Sequence, residues 1–343
     1  MICDAALLPL LNSPLPLAVA QMTTSTFWLL GVVVAVLAIL LLTGRLLERR
    51  QSSMMNPALL QRFNHRVRVW LMMSAILVFA FLMDQFIRGV TVLLFGFVSF
   101  WALREFVTMT PTRRGDHRTL FWVFFIFTPL QYVLIALGPA YYGLYSIMIP
   151  VYGSLFIPAR NALAGDSKRF LERTAKIQVG LLICVYSLSY APAMLDLNLS
   201  SSRKVQWDGS PVSLLFFFIL IAQIADVLQQ AWNRFAGVHV IAKEINASRT
   251  WEGLLGSIVS TGAIGAALWW ATPFEWYEAA VMSMIVAMMS SAGTMTLSAI
   301  KRDRGVTDTG TLVQGHAGLL DRIDNVCFAA PVFYHLTRYF FSV

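Results

Sequence analysis

Apolar residues run through this chain in blocks of about twenty, separated by short polar and basic intervals. Ten blocks read as helices: 26–47, 69–86, 89–106, 119–138, 140–160, 175–195, 211–234, 252–271, 277–299 and 326–343. An α-helix rises ~1.5 Å per residue, so ~20 apolar residues cross the ~30 Å hydrocarbon core of a bilayer. Residues 69–106 divide into two helices, because Asp84, Arg88 and Gly89 interrupt the run. One helix of that length would far exceed the core. The pattern therefore predicts an all-α polytopic integral membrane protein, a bundle of about ten transmembrane helices. It divides into a segment 1–25, N-terminal helices 26–118, middle helices 119–210, and a C-terminal region 211–343 whose long loops carry the chemistry.

Composition supports the same class. The chain has 343 residues, 57% hydrophobic and 13% charged. Soluble domains carry about 25% charged residues, so a soluble enzyme, a coiled coil and a disordered chain are excluded. The net charge of +8 is a topology signal. Segments 44–68, 104–118, 160–176, 234–250 and 301–325 hold 22 of the 26 Lys and Arg residues. The positive-inside rule assigns these five segments to the cytoplasm and both termini to the opposite side. Aromatic residues do not interleave with the basic ones, so no nucleic-acid partner is expected. Cys3, Cys184 and Cys327 have no metal-ligand spacing, and neither a disulfide framework nor a thiolate metal site is expected. The first 25 residues end in Ala18-Val19-Ala20, which is similar to a signal-peptidase site, but they lack a basic start. An uncleaved external segment is the expectation.

Three places could carry chemistry. Asp226 continues the apolar run Leu214 to Ala225, with Gln223, Gln229, Gln230, Asn233 and Arg234 around it. A carboxylate at such depth costs several kcal/mol unless paired or solvated, which makes it a functional candidate. An ion pair with Arg234 or a neighbouring span is the structural alternative. In the segment Asn246 to Gly253, Thr250 and Glu252 suit the N-cap and first turn of the following helix. The richest stretch runs from Ser298 to Asp324. Lys301, Arg302 and Arg304 supply positive charge for phosphates. Gly310, Gly315 and Gly318 let a backbone approach a ligand. Asp308, Asp321 and Asp324 are hard oxygen ligands suited to Mg2+. His316 can donate to a phosphate oxygen. This set suits phosphoryl or nucleotidyl transfer, which depends on positioning and charge neutralisation.

Ser298-x-x-Lys301-Arg302, then Asp308, then Gly315-His316-x-Gly318-x-x-Asp321-Arg322-x-Asp324 resembles the signature of the phosphatidate cytidylyltransferases, or CDP-diacylglycerol synthases. Asp226 and the block Thr250-Trp251-Glu252-Gly253 look like that family's upstream region. Leu103-Arg104-Glu105-Phe106 and Thr110 to Asp116 look like a bacterial branch. The resemblance covers roughly 100–343. It implies cytidylyl transfer from CTP to phosphatidate, giving CDP-diacylglycerol and pyrophosphate, in a homodimer of the cell inner membrane. Asp226, Lys301, Arg302, Asp308, His316, Asp321 and Arg322 are the implied catalytic residues. Arg249, Glu252, Gly315 and Gly318 would bind the nucleotide, and Asp226, Asp321 and Asp324 would hold Mg2+. Thr307, Gln314 and Ala317 stand where the family has Lys, Pro and Gly. Alternative readings are a weak or inactive paralogue that binds lipid or nucleotide, a transferase using another lipid phosphate, and a lipid transporter.

Overall fold

The computed structural model describes residues 57–110 (side chains from Leu71), 112–199, 210–306 and 318–342, together with helical positions Trp28, Gly31 and Leu42. The chain is an all-α multi-pass membrane protein. Its described helices are α1 (Pro57–Asp84), α2 (Val90–Met109), α3 (Arg114–Ala136), α4 (Pro139–Ala162), α5 (Phe170–Asp196), α6 (Pro211–Phe235), α7 (Trp251–Ala267), α8 (Trp276–Asp303) and α9 (Leu320–Phe341). A two-stranded antiparallel hairpin, β1 (Val240–Ala242) and β2 (Asn246–Thr250), joins α6 to α7.

The expectation of about ten spans needs correction. Among the described residues, six helices are long and apolar enough to cross a membrane: α2, α3, α4, α5, α6 and α8. In α1 the stretch with described side chains, Leu71–Asp84, is apolar but shorter than these six. Helix α7 has 17 residues, and α9 begins with charged residues that lower its hydropathy. Most of the run 26–47 lies outside the described residues, as do residues 1–25. The predicted break in 69–106 is present, with the chain turning at Gly89 between α1 and α2.

The two halves are built differently. Helices α3, α4 and α5 each contain a π-helical stretch, at Val123–Phe127, Met148–Gly153 and Leu182–Ser187. Side-chain hydroxyls add hydrogen bonds to carbonyls of these turns. Thr128 Oγ1 donates to the Val123 carbonyl at 2.9 Å, and Ser154 Oγ to that of Pro150. Buried polar contacts then join these helices. Thr119 Oγ1 donates to Asn161 Oδ1 at 2.6 Å, and Asn161 Nδ2 donates to Thr174 Oγ1 at 3.1 Å. Such contacts supply helix association in lipid, where tails are as apolar as leucine.

Helices α6 to α9 pack mainly against one another. The core between the halves is aromatic and aliphatic, with Phe81, Phe217, Phe218, Phe333 and Tyr334 almost wholly enclosed. Phe79, Phe97, Phe125, Leu155, Val259 and Val281 face outward. A bilayer covers such a surface at no cost in hydration. Described parts of the basic segments 104–118, 160–176, 234–250 and 301–325 meet one another, Arg113 with Asp166, Arg304 with Glu172, Arg302 with the Ile245 carbonyl and Glu105 with the Leu319 N–H, and there the hairpin packs against α6, α7 and α8.

Candidate active site

Helix α6 carries Asp226 about four turns from its start, on a side chain 26% exposed. The hairpin folds back over this end of α6. Its β2 strand pairs Val240 with Thr250 and Ala242 with Asn246, bringing Arg249 inward. Arg249 is buried and its Nη2 meets Asp226 Oδ1 at 2.7 Å. Its Nη1 donates to Gln229 Oε1. Gln229 in turn donates to Ser291 Oγ of α8 at 2.8 Å, and Gln230 donates to Asp226 Oδ2 at 2.7 Å. Thus both members of the pair are held in place. The partner of Asp226 is Arg249, not the Arg234 that adjacency proposed.

The hairpin is itself anchored. Asn233 Oδ1 accepts from Thr250 N–H at 3.1 Å and Thr250 Oγ1 at 2.9 Å. Thr250 Oγ1 caps α7 by accepting from Gly253 N–H at 3.1 Å, as the sequence pattern anticipates. Glu252 turns to the loop before β1. Its carboxylate accepts from the N–H groups of Val238 and His239, both at 3.1 Å, and lies 2.5 Å from His239 Nδ1. In this arrangement Glu252 braces the loop. Asn246 Nδ2 reaches Ser298 Oγ of α8 at 3.3 Å.

Helix α8 ends for a local reason. Gly305 takes φ +67°, its N–H donates to the Arg302 carbonyl at 3.0 Å, and the Val306 N–H donates to that of Lys301 at 3.0 Å. This is a Schellman closure, which favours glycine in the left-handed conformation because it has no Cβ to clash. It leaves Lys301 and Arg302 in the last turn, where the helix dipole favours cations. Lys301 Nζ meets Asp321 Oδ1 of α9 at 2.8 Å, and Arg302 Nε donates to the Ile245 carbonyl of the hairpin turn at 3.3 Å.

Asp324 lies one turn beyond Asp321. Its Oδ1 accepts from the Asn325 N–H at 2.7 Å, and no described cation forms an ion pair with it. Asp226 and Asp321 act on it as like charges and Arg249 as an opposite one. The charges of Asp226, Arg249 and Asp321 therefore all bear on Asp324. The α9 backbone comes very near α8 here: a Cβ on Gly293 would stand 2.5 Å from the Asp324 carbonyl oxygen. Asn325 Nδ2 ties α9 to the Ala222 carbonyl of α6 at 3.0 Å, and Gln223 Nε2 approaches the Arg322 carbonyl at 3.4 Å.

Of the predicted residues, Asp226, Arg249, Lys301, Arg302, Asp321, Arg322 and Asp324 share this end of α6, β2, α8 and α9. Gly318 lies buried just before α9. Thr307, Asp308, Gly310, Gln314, Gly315, His316 and Ala317 lie outside the described residues. Sequence reasoning missed Gln229 and Asn233 as organisers of the site, although both sat in the polar cluster around Asp226. It also gave no role to Glu105, whose signal was a lone acid near the end of an apolar run.

The donor set fits Mg2+ in a particular way. Among the described residues, no three His, Cys, Asp or Glu side chains converge into a closed cage. The nearby carboxylates offer only hard oxygens. Mg2+ is usually bound by one or two carboxylates together with substrate phosphates, so an open acidic site is suitable.

Comparison with known proteins points the same way. A model of the cytidylyltransferase family matches residues 64–340. The uncharacterized protein YnbB of Escherichia coli strain K12 is 32% identical over 256 residues, 74% of this chain and 80% of YnbB. The phosphatidate cytidylyltransferase of Mycobacterium leprae is 34% identical over 177 residues, 51% of this chain and 53% of that protein. The phosphatidate cytidylyltransferase of a Synechocystis strain is 30% identical over 160 residues, 42% of this chain and 51% of that protein. The chain thus spans about half the length of these two enzymes.

Proposed function

Because this chain belongs to the cytidylyltransferase family, we propose that it transfers the cytidylyl group of CTP to phosphatidate. A phosphatidate oxygen bonds to the α-phosphorus of CTP, the bond from that phosphorus to the bridging oxygen breaks, and pyrophosphate leaves. The products are CDP-diacylglycerol and pyrophosphate. The attacking phosphate is already anionic, so the reaction needs alignment and charge neutralisation more than a strong base.

The observation that carries this reading is the pair of ion pairs, Arg249–Asp226 and Lys301–Asp321, on helices α6 and α9 that are tied together by Asn325 and Gln223, with Asp324 one turn beyond Asp321. Each pair keeps a cation and an acid ready at the end of a membrane helix. Lys301, Arg302 and Arg322 hold triphosphate or lipid phosphate, with Lys301 exchanging Asp321 for a phosphate oxygen. Arg249 orients Asp226 and adds positive charge beside the triphosphate. Mg2+ would be held by one or two of Asp226, Asp321 and Asp324 together with substrate phosphate oxygens, and it would neutralise charge on the α-phosphate and the leaving group. Asp308 and His316 belong to the same site on this reading, with His316 orienting an oxygen. The catalytic region is 211–343, working in a homodimer. The site opens to the cytoplasm and laterally to the inner-membrane lipid.

The test uses purified full-length protein with CTP, phosphatidate and Mg2+, reading liponucleotide by mass spectrometry. Product formation that requires all three supports the reading. Folded protein that binds CTP yet makes no liponucleotide would replace it with non-catalytic binding, and product from another lipid phosphate alone would change the acceptor. Orientation is checked with Thr311→Cys, which an impermeant reagent should label only from the cytoplasmic side.

A further inference from the structure

Glu105 lies one turn before the end of α2 and is 5% exposed. Its Oε1 accepts from the Leu319 N–H at 3.0 Å and its Oε2 from the Leu320 N–H at 2.8 Å. Those donors stand at the start of α9, where a helix has no carbonyl of its own to offer them. The positive end of the helix dipole favours a carboxylate at this position. Among the described residues, no Lys or Arg forms an ion pair with Glu105. A buried carboxylate without a cation is expensive to keep, and here two backbone N–H groups offset its desolvation. The contact spans 214 and 215 residues of sequence, joining the N-terminal helices to the first turn of α9. That turn carries Asp321, and the next carries Asp324.

A helix N-terminus is a ready site for a substrate phosphate. At α9 the protein fills it with its own carboxylate. The platform is firm: Ala102, Leu103 and Phe106, which flank Glu105 on α2, are all buried.

We infer that Glu105 is a positioning residue for the acidic site: it clamps the start of α9 to α2 and thereby sets where Asp321 and Asp324 stand. The catalytic part of this inference rests on the transferase reading above; the clamp itself does not.

The experiment compares wild type, Glu105→Gln and Glu105→Asp as purified full-length protein. Hydrogen–deuterium exchange is followed on peptides covering 318–324 and, as a control, 211–222. Steady-state kinetics with CTP and phosphatidate are measured alongside. Glu105→Gln replaces one acceptor with an N–H2 group, so exchange at 318–324 should rise about tenfold or more while the control stays unchanged. The kcat should fall about tenfold or more with KM for CTP nearly constant. Glu105→Asp keeps charge and both acceptors on a shorter stem, and should recover part of both losses. Unchanged exchange at 318–324 overturns the inference, as does exchange rising equally in the control or a raised KM with unchanged kcat. If wild type forms no liponucleotide, the transferase reading fails, while local exchange still decides whether Glu105 clamps α9.

Discussion

Arg173 of α5 is 4% exposed and Arg249 of β2 is 5% exposed, and each meets an aspartate at 2.7 Å. Their surroundings differ. Asp116, the partner of Arg173, is itself almost wholly buried, and its Oδ2 accepts from the Arg113 N–H at 2.9 Å. Arg173 Nε donates to Asp116 Oδ1 at 2.8 Å, and its Nη1 reaches the carbonyls of Asp166 and Lys168 at 3.0 and 2.9 Å. That network joins the start of α3 to α5 and reaches the surface at Asp166, whose carboxylate Arg173 Nη1 meets at 2.9 Å. Asp226, the partner of Arg249, remains partly open and lies near a second ion pair and a further carboxylate. Burial of an arginine therefore does not mark a site. Enclosure of both partners makes a joint, while enclosure of the cation alone holds an acid at an accessible edge.

The largest effect that could break this contrast comes from the open side. Asp226→Asn and Asp321→Asn should each lower liponucleotide formation by about a hundredfold or more, because charge neutralisation in the transition state is lost. The Asn side chain still accepts a hydrogen bond, so size-exclusion behaviour in detergent should stay as in wild type. Turnover at the wild-type rate would remove that residue from the site.

On the closed side, Arg173→Met leaves Asp116 buried without its cation. Breaking a buried pair costs about 3–5 kcal/mol, so the thermal unfolding midpoint should drop well below that of wild type. Activity per folded molecule should be retained. A loss of turnover without destabilisation would make the two networks alike.

Thr307→Lys adds the cation that the resembled family signature carries at this position and sharpens the comparison. A charge-assisted phosphate contact is worth about 1.5–3 kcal/mol, so kcat/KM for CTP should rise about tenfold or more. If nothing changes, Arg249 or Arg304 already supplies that charge, and replacing the responsible one with Gln should produce the loss.

The smallest effect concerns the rim of the closed network. The Asp166 carboxyl is held below the usual carboxylate range, first by the Lys168 N–H at 3.1 Å and then by the charges of Arg173 and Arg113. Its contribution to stability is therefore complete above the ordinary aspartate value near ~4 and is lost as pH falls below it. Unfolding midpoints measured between neutral and acidic pH should fall slightly less steeply in Asp166→Asn than in wild type. An equal slope would show that Asp166 adds nothing to the joint.

Much of the architecture was legible in the chain because its causes are local. Apolar runs mark α2 to α6 and α8 by length and hydropathy alone. Gly89 breaks α1 from α2, Thr250 caps α7, and Gly305 ends α8 directly after Lys301 and Arg302. The hairpin between α6 and α7 was not legible, since its short strands carry no long alternation and depend on docking against α6 and α8. The helices α7 and α9 fall short of the apolar length expected of them, and they hold their places through packing within the bundle.

The residue types of the site were also readable: acids, bases and glycines gathered near the ends of apolar helices. Their partners were decided only by tertiary structure. Arg234 lies eight residues from Asp226 on the same helix, about 12 Å farther along its axis. Arg249 lies 23 residues away in sequence and returns to Asp226 because the hairpin folds back. Lys301 meets Asp321 only because α8 packs against α9, and Glu105 reaches Leu319 and Leu320 only because α2 approaches the start of α9. Hydrophobic length and helix capping are settled within a few turns of chain, where the bilayer and the backbone set the terms. The pairing of charges depends on which helix ends are brought together, and that is a property of the packed bundle.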